Sequence, residues 1–370
     1  WESGRTCVKP HTRASVGPMT APATRVLHSV DHGLAHLTLN RPEALNALDL
    51  DMIDALAAAL EGWRRDSEVA IVVLDGAGER GLCAGGDVRG LAEQIKAGDA
   101  EETRHFVQRE YALNAMIDEY PKPVVAIADG ITMGGGVGLA GHASLRVVTE
   151  RSKIAMPETR IGFTPDVGGS WLAARAPGRI GEYLALTGAT MDGADAIVAG
   201  FADVFVPSDR LGSLVQAPSE RADPATPAEI VILFDETPEP SALEAMRPWI
   251  DEAFAADTVM QIIERLRARP EPEASASADT LEAQSPTGLV VSLGAVRRAR
   301  ELPSLRAALE QEYGLVLWFA TTQPDLVEGI RAQLIDKDRS PKWSPATLAQ
   351  TPEDLAETAL AYRPRVPLWS

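Results

Sequence analysis

The sequence predicts a layered α/β body followed by a mainly helical C-terminal region. Three observations carry that expectation. VAIVVLDG (69–76) and KPVVAIADG (122–130) are short apolar runs that each end in a glycine turn, the pattern of strands buried on both faces. Helical text over 88–120 separates them, and strand, helix, strand implies a crossover connection. Beyond Pro207 the strand-like runs stop, and segments such as LEAMRPWIDEAFA and SLRAALEQEYGLVLWFA read as helices.

Residues 1–18 lack apolar periodicity, and Met19 followed by TAPATRV reads as a natural start, so the leader is expected to be extraneous or disordered. A transit peptide competes with that reading, because Arg5, Lys9 and Arg13 face one acid, Glu2, but the amphipathic helical pattern is missing. RVLHSVDHGLAHLTLNRP then alternates apolar and polar residues around Asp31, His32 and Gly33, which predicts a hairpin. MIDALAAALEGW (52–63) has helical spacing, and LRVVTE (145–150) and ADVFVP (202–207) supply further strands. The Pro/Glu/Ser/Ala stretch RPEPEASASADTLEAQSP (269–286) is expected to be a surface loop that buries little. The resulting division is a leader (1–18), an α/β core (19–210) and a mainly helical C-terminal region (211–370).

With 35 Lys and Arg against 53 Asp and Glu, the formal charge of −18 repels a long phosphate backbone, so nucleic acid is not an expected partner. A single cofactor bearing a few phosphates is still within reach of two or three local basic side chains. Cys7 and Cys83 make neither a disulfide framework nor a CxxC pair, which suits a reducing compartment: the cytoplasm, or the mitochondrial matrix in a eukaryotic source. No apolar run approaches the roughly 18 to 20 residues of a membrane span, so no membrane partner is expected. His28, His32 and His36 recur every fourth residue, a metal face if helical, yet their alternating flanks assign them to strands and no metal is expected. Cys83 reads as small-residue packing, and Trp249, Trp318 and Trp343 as core or interface residues of the helical region.

DGITMGGGVGLAG (129–141) is the most informative stretch. Its Gly136, Gly138 and Gly141 have dinucleotide-turn spacing, but this is not the chain's first strand and no strand-terminal acid follows about 20 residues on. No Gly-Lys-Ser/Thr follows, so a Walker phosphate loop is excluded. Consecutive glycines entering a helix also let backbone amides approach a developing anion, the equipment of an oxyanion hole. A second small-residue turn, LCAGGDVRG (82–90), follows the first buried strand. Two amide-bearing turns meeting over one carbonyl oxygen point to acyl chemistry.

LNRPEALNAL (39–48), CAGGD (83–87) and KPVVAIADGITMGGGVGLAG (122–141) resemble the signature blocks of the crotonase, or enoyl-CoA hydratase/isomerase, superfamily. The resemblance implies a crotonase-type ββα superhelix. GITMGGGVGL, AMPETRIGFTPDVGGS (155–170), SPTGL (285–289) and LIDKDRSPKW (334–343) are similar to 3-hydroxyisobutyryl-CoA hydrolases within it. By that likeness the amides of Gly86 and Gly135 form the oxyanion hole, the acyl-CoA is the partner, and no cofactor is needed beyond the coenzyme A of the substrate.

Hydratases of the superfamily carry a glutamate where this chain has Gly138. Their second catalytic glutamate corresponds to Glu158, and Asp166 stands where they usually have glycine. The resemblance therefore implies thioester hydrolysis with Glu158 and Asp166 as the working carboxylates: Glu158 attacks the carbonyl or deprotonates water, and Asp166 handles protons. Glu110 would grip the substrate's 3-hydroxyl. On position alone, Glu158 reads as a surface or capping acid after Pro157, Asp166 as a turn residue, and Glu110 as a solvated partner of Arg109. The rival functions are an enoyl-CoA hydratase or isomerase, and a non-catalytic acyl-CoA-binding protein. Superfamily members assemble as trimers or hexamers, and the helical extension could cover that surface, which leaves a homo-oligomer open.

Overall fold

β1 (Val26–Asp31) and β2 (Leu34–Leu39) pair antiparallel across His32 and Gly33, whose φ values of 46° and 86° suit a two-residue hairpin turn. The computed structural model describes residues 24–98, 100–220 and 227–369, so the expected leader and Cys7 lie outside the described residues. α1 (Leu50–Trp63) starts where the Asp49 side chain accepts from Met52 N, and it buries Met52, Ile53, Leu56, Leu60 and Trp63 at helical spacing. β3 (Ile71–Gly76) follows. The long helical text then divides into α2 (Val88–Ala97) and α3 (Ala100–Asp118), because Gly98 closes α2 in a left-handed conformation at φ 74°.

β4 (Val124–Ala128), β5 (Ile131–Met133), α4 (Gly135–Ala140), β6 (Leu145–Val148) and β7 (Lys153–Ala155) come next. After them are α5 (Gly169–Arg175), α6 (Ile180–Thr187), α7 (Gly193–Val198) and β8 (Val204–Phe205). The six-stranded sheet has the order β1-β2-β3-β4-β6-β8 and is parallel except for the β1–β2 hairpin. β5 and β7 form a separate parallel pair. Residues alternate between two cores as the pleat requires: Val72, Leu74, Val124 and Ala126 enter the larger one, while Ile71, Val73, Val125 and Ile127 enter a smaller one on the opposite face. α8 (Leu211–Glu220) and α9 (Pro227–Ile232) reach that second face through Leu214 and Val231.

The remaining helices are α10 (Ala242–Phe254), α11 (Val259–Arg267), α12 (Pro272–Ala283), α13 (Pro286–Ala299), α14 (Leu305–Thr322), α15 (Asp325–Ile330) and α16 (Leu355–Ala361), with a π-helical turn at Arg331–Ile335. α14 packs on α3, and α13 on α5 and α6, so one continuous core runs from the sheet into the helical region. Trp249 and Trp318 are buried in that core, and Trp343 is half-buried with its indole N–H on Ala283 O.

The surface loop expected at 269–286 is instead the helix α12 with its flanks. Pro272 at the first turn presets φ, and the alanines that follow are the strongest helix formers. Ala274, Ser277, Ala278 and Leu281 make a buried stripe of three small residues and one leucine against α11 and α6. The stretch is low in bulky apolar residues because its neighbours lie close, not because it buries little.

Candidate active site

Two backbone turns meet at the floor of the site. The 82–87 turn lies alongside β5, through Cys83 N to Ile131 O at 3.1 Å and Met133 N to Cys83 O at 2.9 Å. Leu48 holds its far end, donating to Gly85 O and accepting from Asp87 N. The amides of Gly86 and Gly135 take no part in these bonds, and they are adjacent: a Cβ on Gly135 would lie 3.3 Å from Gly86 N. That Cβ would also sit 2.7 Å from Glu110 Oε1, and one on Gly134, whose φ is 48°, 3.2 Å from Glu158 Oε1. Side chains here would collide with carboxylates on both sides. Gly136 and Gly141 face Cys83 O and the Leu172 side chain, so the dinucleotide-like spacing packs against protein and not against a phosphate.

Gly86, Gly135, Glu110, Glu158 and Asp166 all line one cavity of about 610 Å³. Each carboxylate arrives from a different element. Glu110 points inward from α3 and is 4% exposed, while the adjacent Arg109 turns to Asp54 at 2.7 Å, so the expected solvated pair does not form. Glu158 opens a 3₁₀ turn after β7 and is 6% exposed, which removes the surface-acid reading. Asp166 lies just before α5 and accepts from the Tyr111 hydroxyl at 3.1 Å. Glu110 Oε1 and Glu158 Oε2 are buried without a hydrogen-bond partner, so both are left to a ligand.

Burial raises all three carboxyls above their ordinary range. The Asp166 charge adds to the effect on Glu110 and on Glu158, and the Tyr111 hydroxyl moderates it on Asp166. Carboxylates this close and this dry do not all ionise together, so the site retains at least one proton near neutrality. Cys83 is fully buried and its thiol is pushed up to about 12 by burial, which suits packing and not nucleophilic attack. His28 lies on β1 against Trp63, His32 in the hairpin turn, and His36 on β2 beside Asp75, as the strand reading requires.

Gly138 is closed to any side chain. A Cβ there would meet Val167 Cβ at 2.7 Å and Asn114 Nδ2 at 3.0 Å. No motif points to Tyr111, to Asn114, or to His142, whose Nε2 donates to Val167 O at 2.8 Å. Glu312 of α14 was also missed: it accepts from Gly168 N at 2.6 Å and Ser170 N at 2.9 Å. The one usable signal for Glu312 was an acid among the apolar residues of LRAALEQEYGLVLWFATT, facing the buried side of that helix.

A parallel sheet crossed by helices, with two adjacent amides and three buried carboxyls at one cavity, makes a candidate acyl-thioester site on a crotonase-type fold. The chain belongs to the enoyl-CoA hydratase/isomerase family, whose model matches residues 34–360. It is 42% identical to the mitochondrial 3-hydroxyisobutyryl-CoA hydrolase of Danio rerio over 87% of this chain and 85% of that one. It is 38% identical to 3-hydroxyisobutyryl-CoA hydrolase 1 of Arabidopsis thaliana over 91% of each. Among solved structures, one described as a carnitinyl-CoA dehydratase from Mycobacterium thermoresistibile superposes with a TM-score of 0.88 at 47% identity, over 93% of this chain and 98% of that one. Another, described as an enoyl-CoA hydratase from Rhodobacter sphaeroides, gives 0.86 at 41%, over 92% and 98%.

Proposed function

We propose that this chain hydrolyses a short-chain 3-hydroxyacyl-CoA thioester, 3-hydroxyisobutyryl-CoA by its relatives' names, to the free acid and coenzyme A, as a step of valine degradation. The observation that carries the reading is the combination of Glu158 and Asp166 at the two amides with a position 138 that admits no side chain. The thioester carbonyl oxygen sits between the N–H groups of Gly86 and Gly135, and each such donor is worth about 3 kcal/mol to the tetrahedral intermediate. A carboxyl with a raised pKa is basic enough to take a proton from water, and a protonated neighbour can deliver one to the departing thiolate. Glu158 forms the new bond itself, as a mixed anhydride, or takes the proton of an attacking water. The C–S bond breaks in either route, and Asp166 supplies or relays the proton to sulfur. Glu110, with its unpartnered Oε1, grips the 3-hydroxyl.

The names of the two solved structures favour a second reading, hydration of an unsaturated acyl-CoA. The steric closure at Gly138 counts against it, because the carboxylate that family hydratases carry there has no room. Release of free CoA from 3-hydroxyisobutyryl-CoA, measured beside hydration of crotonyl-CoA, separates the two: hydration without CoA release refutes hydrolysis. Oxygen-18 found in Glu158 after one turnover in labelled water supports an anhydride opened at the Glu158 carbonyl, and label in the free acid alone leaves the general-base route or an anhydride opened at the acyl carbon. The reading needs no cofactor beyond the coenzyme A of the substrate and no partner beyond the acyl-CoA. No helix among the described residues is long and apolar enough to cross a membrane, and the reading places the enzyme in the cytoplasm or, in a eukaryotic source, the mitochondrial matrix.

A further inference from the structure

Asp166 lies in a turn closed by Gly169 N to Asp166 O at 2.6 Å, but its backbone is strained. Val167 has φ 51°, a conformation that a β-branched residue rarely adopts, and Gly168 follows at φ 82°. Gly168 is also the N-cap of α5 and has no side chain with which to cap it. Three side chains from elsewhere in the chain hold the segment. Tyr111 of α3 donates to Asp166, His142 donates to Val167 O, and Glu312 of α14 accepts from Gly168 N, Ser170 N and the Ser170 hydroxyl.

Glu312 is 0% exposed, and every bond it makes goes to this one segment. Among the described residues no cation pairs with it. Burial pushes its carboxyl up to about 8 against the opposing effect of the three donors, and the groups facing it are Asp166, Glu158 and Tyr111, all acidic. An isolated buried carboxyl placed among other acids is a costly way to cap a seven-residue helix, but no side chain at position 168 could do so locally, because a Cβ there would lie 2.3 Å from His142 Nε2. What the arrangement adds is a rigid link from the helical region to the turn that carries Asp166.

We propose that Glu312 is a positioning residue: from α14 it clamps the 166–170 segment so that Asp166 is presented to the cavity beside Glu158. The clamp would explain why the helical region is part of the catalytic body. α14 also contributes Val316 to the cavity wall, one turn beyond Glu312, so the same helix shapes the pocket and fixes the acid. The inference rests on the hydrolytic reading above.

The test uses the full-length enzyme and two substitutions. Glu312→Gln keeps the shape but turns an NH₂ toward Gly168 N–H or Ser170 N–H, so donor faces donor and the turn must shift. A displacement approaching 1 Å costs on the order of 100-fold in rate. The expected result is kcat lower by about 10- to 100-fold with KM within about threefold, because Glu312 itself does not line the acyl-CoA cavity. The pH profile of kcat should move to lower pH on its alkaline side, since the charge that Glu312 gains there, beside Glu158, is gone. Wild-type kcat with an unmoved profile would overturn the proposal, and so would parallel losses in kcat and KM with an unmoved profile, the signature of a purely structural role. If Glu312→Gln does not fold, Ser170→Ala decides, because it removes only the hydroxyl donor. A kcat at least about threefold lower at constant KM is then expected, and an unchanged kcat refutes the clamp. Wild-type CoA release is measured first: its absence defeats the hydrolytic reading and this inference together, whereas normal wild-type release with unaltered variants defeats the role of Glu312 alone.

Discussion

Replacing Gly138 with alanine adds one methyl group at a point where the structure leaves no room for it. The new carbon would lie 2.7 Å from Val167 Cβ and 3.0 Å from Asn114 Nδ2. Carbon atoms rest about 3.5 to 4.0 Å apart, so one partner must retreat by roughly 1 Å. Val167 Cβ is fixed to the backbone and cannot rotate away, and His142 holds its carbonyl from behind. The adjustment therefore falls on the turn that presents Asp166. Overpacking of this kind costs about 1 to 3 kcal/mol of stability, and a misplacement near 1 Å costs about 100-fold in rate. The expected outcome for Gly138→Ala is a folded enzyme whose kcat for CoA release falls by about two orders of magnitude with little change in KM. Thiol detection of released CoA, with a urea titration as the stability control, measures both. Gly138→Glu should lose hydrolysis without gaining hydration of crotonyl-CoA. A Gly138→Ala enzyme with wild-type kcat, or a Gly138→Glu enzyme that hydrates, would refute the steric argument.

Glu158→Gln should lower kcat by about 10²- to 10⁴-fold, the range for a lost acid–base group, while acyl-CoA binding measured by calorimetry persists; wild-type turnover would remove Glu158 from the mechanism. Stability should fall as pH rises from about 6.5 to about 8. Glu110, Glu158, Asp166 and Glu312 have folded pKa values raised above their unfolded ones, so the folded state keeps protons that the unfolded chain has released. His142, lowered to about 4 by burial, acts in the opposite sense only below pH 6.5 and leaves this window clear. Urea midpoints at pH 6.5 and 8 test the sign, and a higher midpoint at pH 8 contradicts it. Asn46→Ala should cost about 3 kcal/mol of stability, because Asn46 has φ 54° and its side chain serves Arg41 N, Ala77 O and Gly81 O; a change below about 1 kcal/mol by denaturant titration would discount these bonds.

The parallel sheet was legible because its strands obey a local rule. β3 and β4 are buried on both faces, so they read as unbroken apolar runs, and the glycine turn after each marks where the chain leaves the sheet. The hairpin was legible from the glycine that follows His32. β5 and β7 were not, since three residues each carry too little periodicity, and their pairing joins residues 22 apart in the chain. α12 was misread for a related reason: its buried stripe is small rather than bulky, and composition cannot distinguish a helix that packs closely from a tract that packs on nothing. Asn46, near the end of LNRPEALNAL, illustrates how a sequence block can be recognisable while its cause stays hidden, because two of its three partners, Ala77 O and Gly81 O, become neighbours only in the fold.

At the site, sequence placed the candidates by register but had no means of setting their environment. Taken alone, each of Glu110, Glu158 and Asp166 has an ordinary surface reading, and burial reverses all three at once. Burial here is a collective property: α14 packs on α3 and α5, while α13 and α15 pack on the 3₁₀ turn after β7. The groups that no motif revealed, Tyr111, His142 and Glu312, contact the acid or its backbone and not the cavity, so they have no register of their own to betray them. In the proposed reading a working carboxylate stands at position 166 and none at position 138, and the packing agrees with it. Val167 and Asn114 fill the space beside Gly138, and the turn that brings Val167 there carries Asp166 into the cavity. One backbone conformation thus closes position 138 to any side chain and brings the Asp166 carboxyl to the cavity.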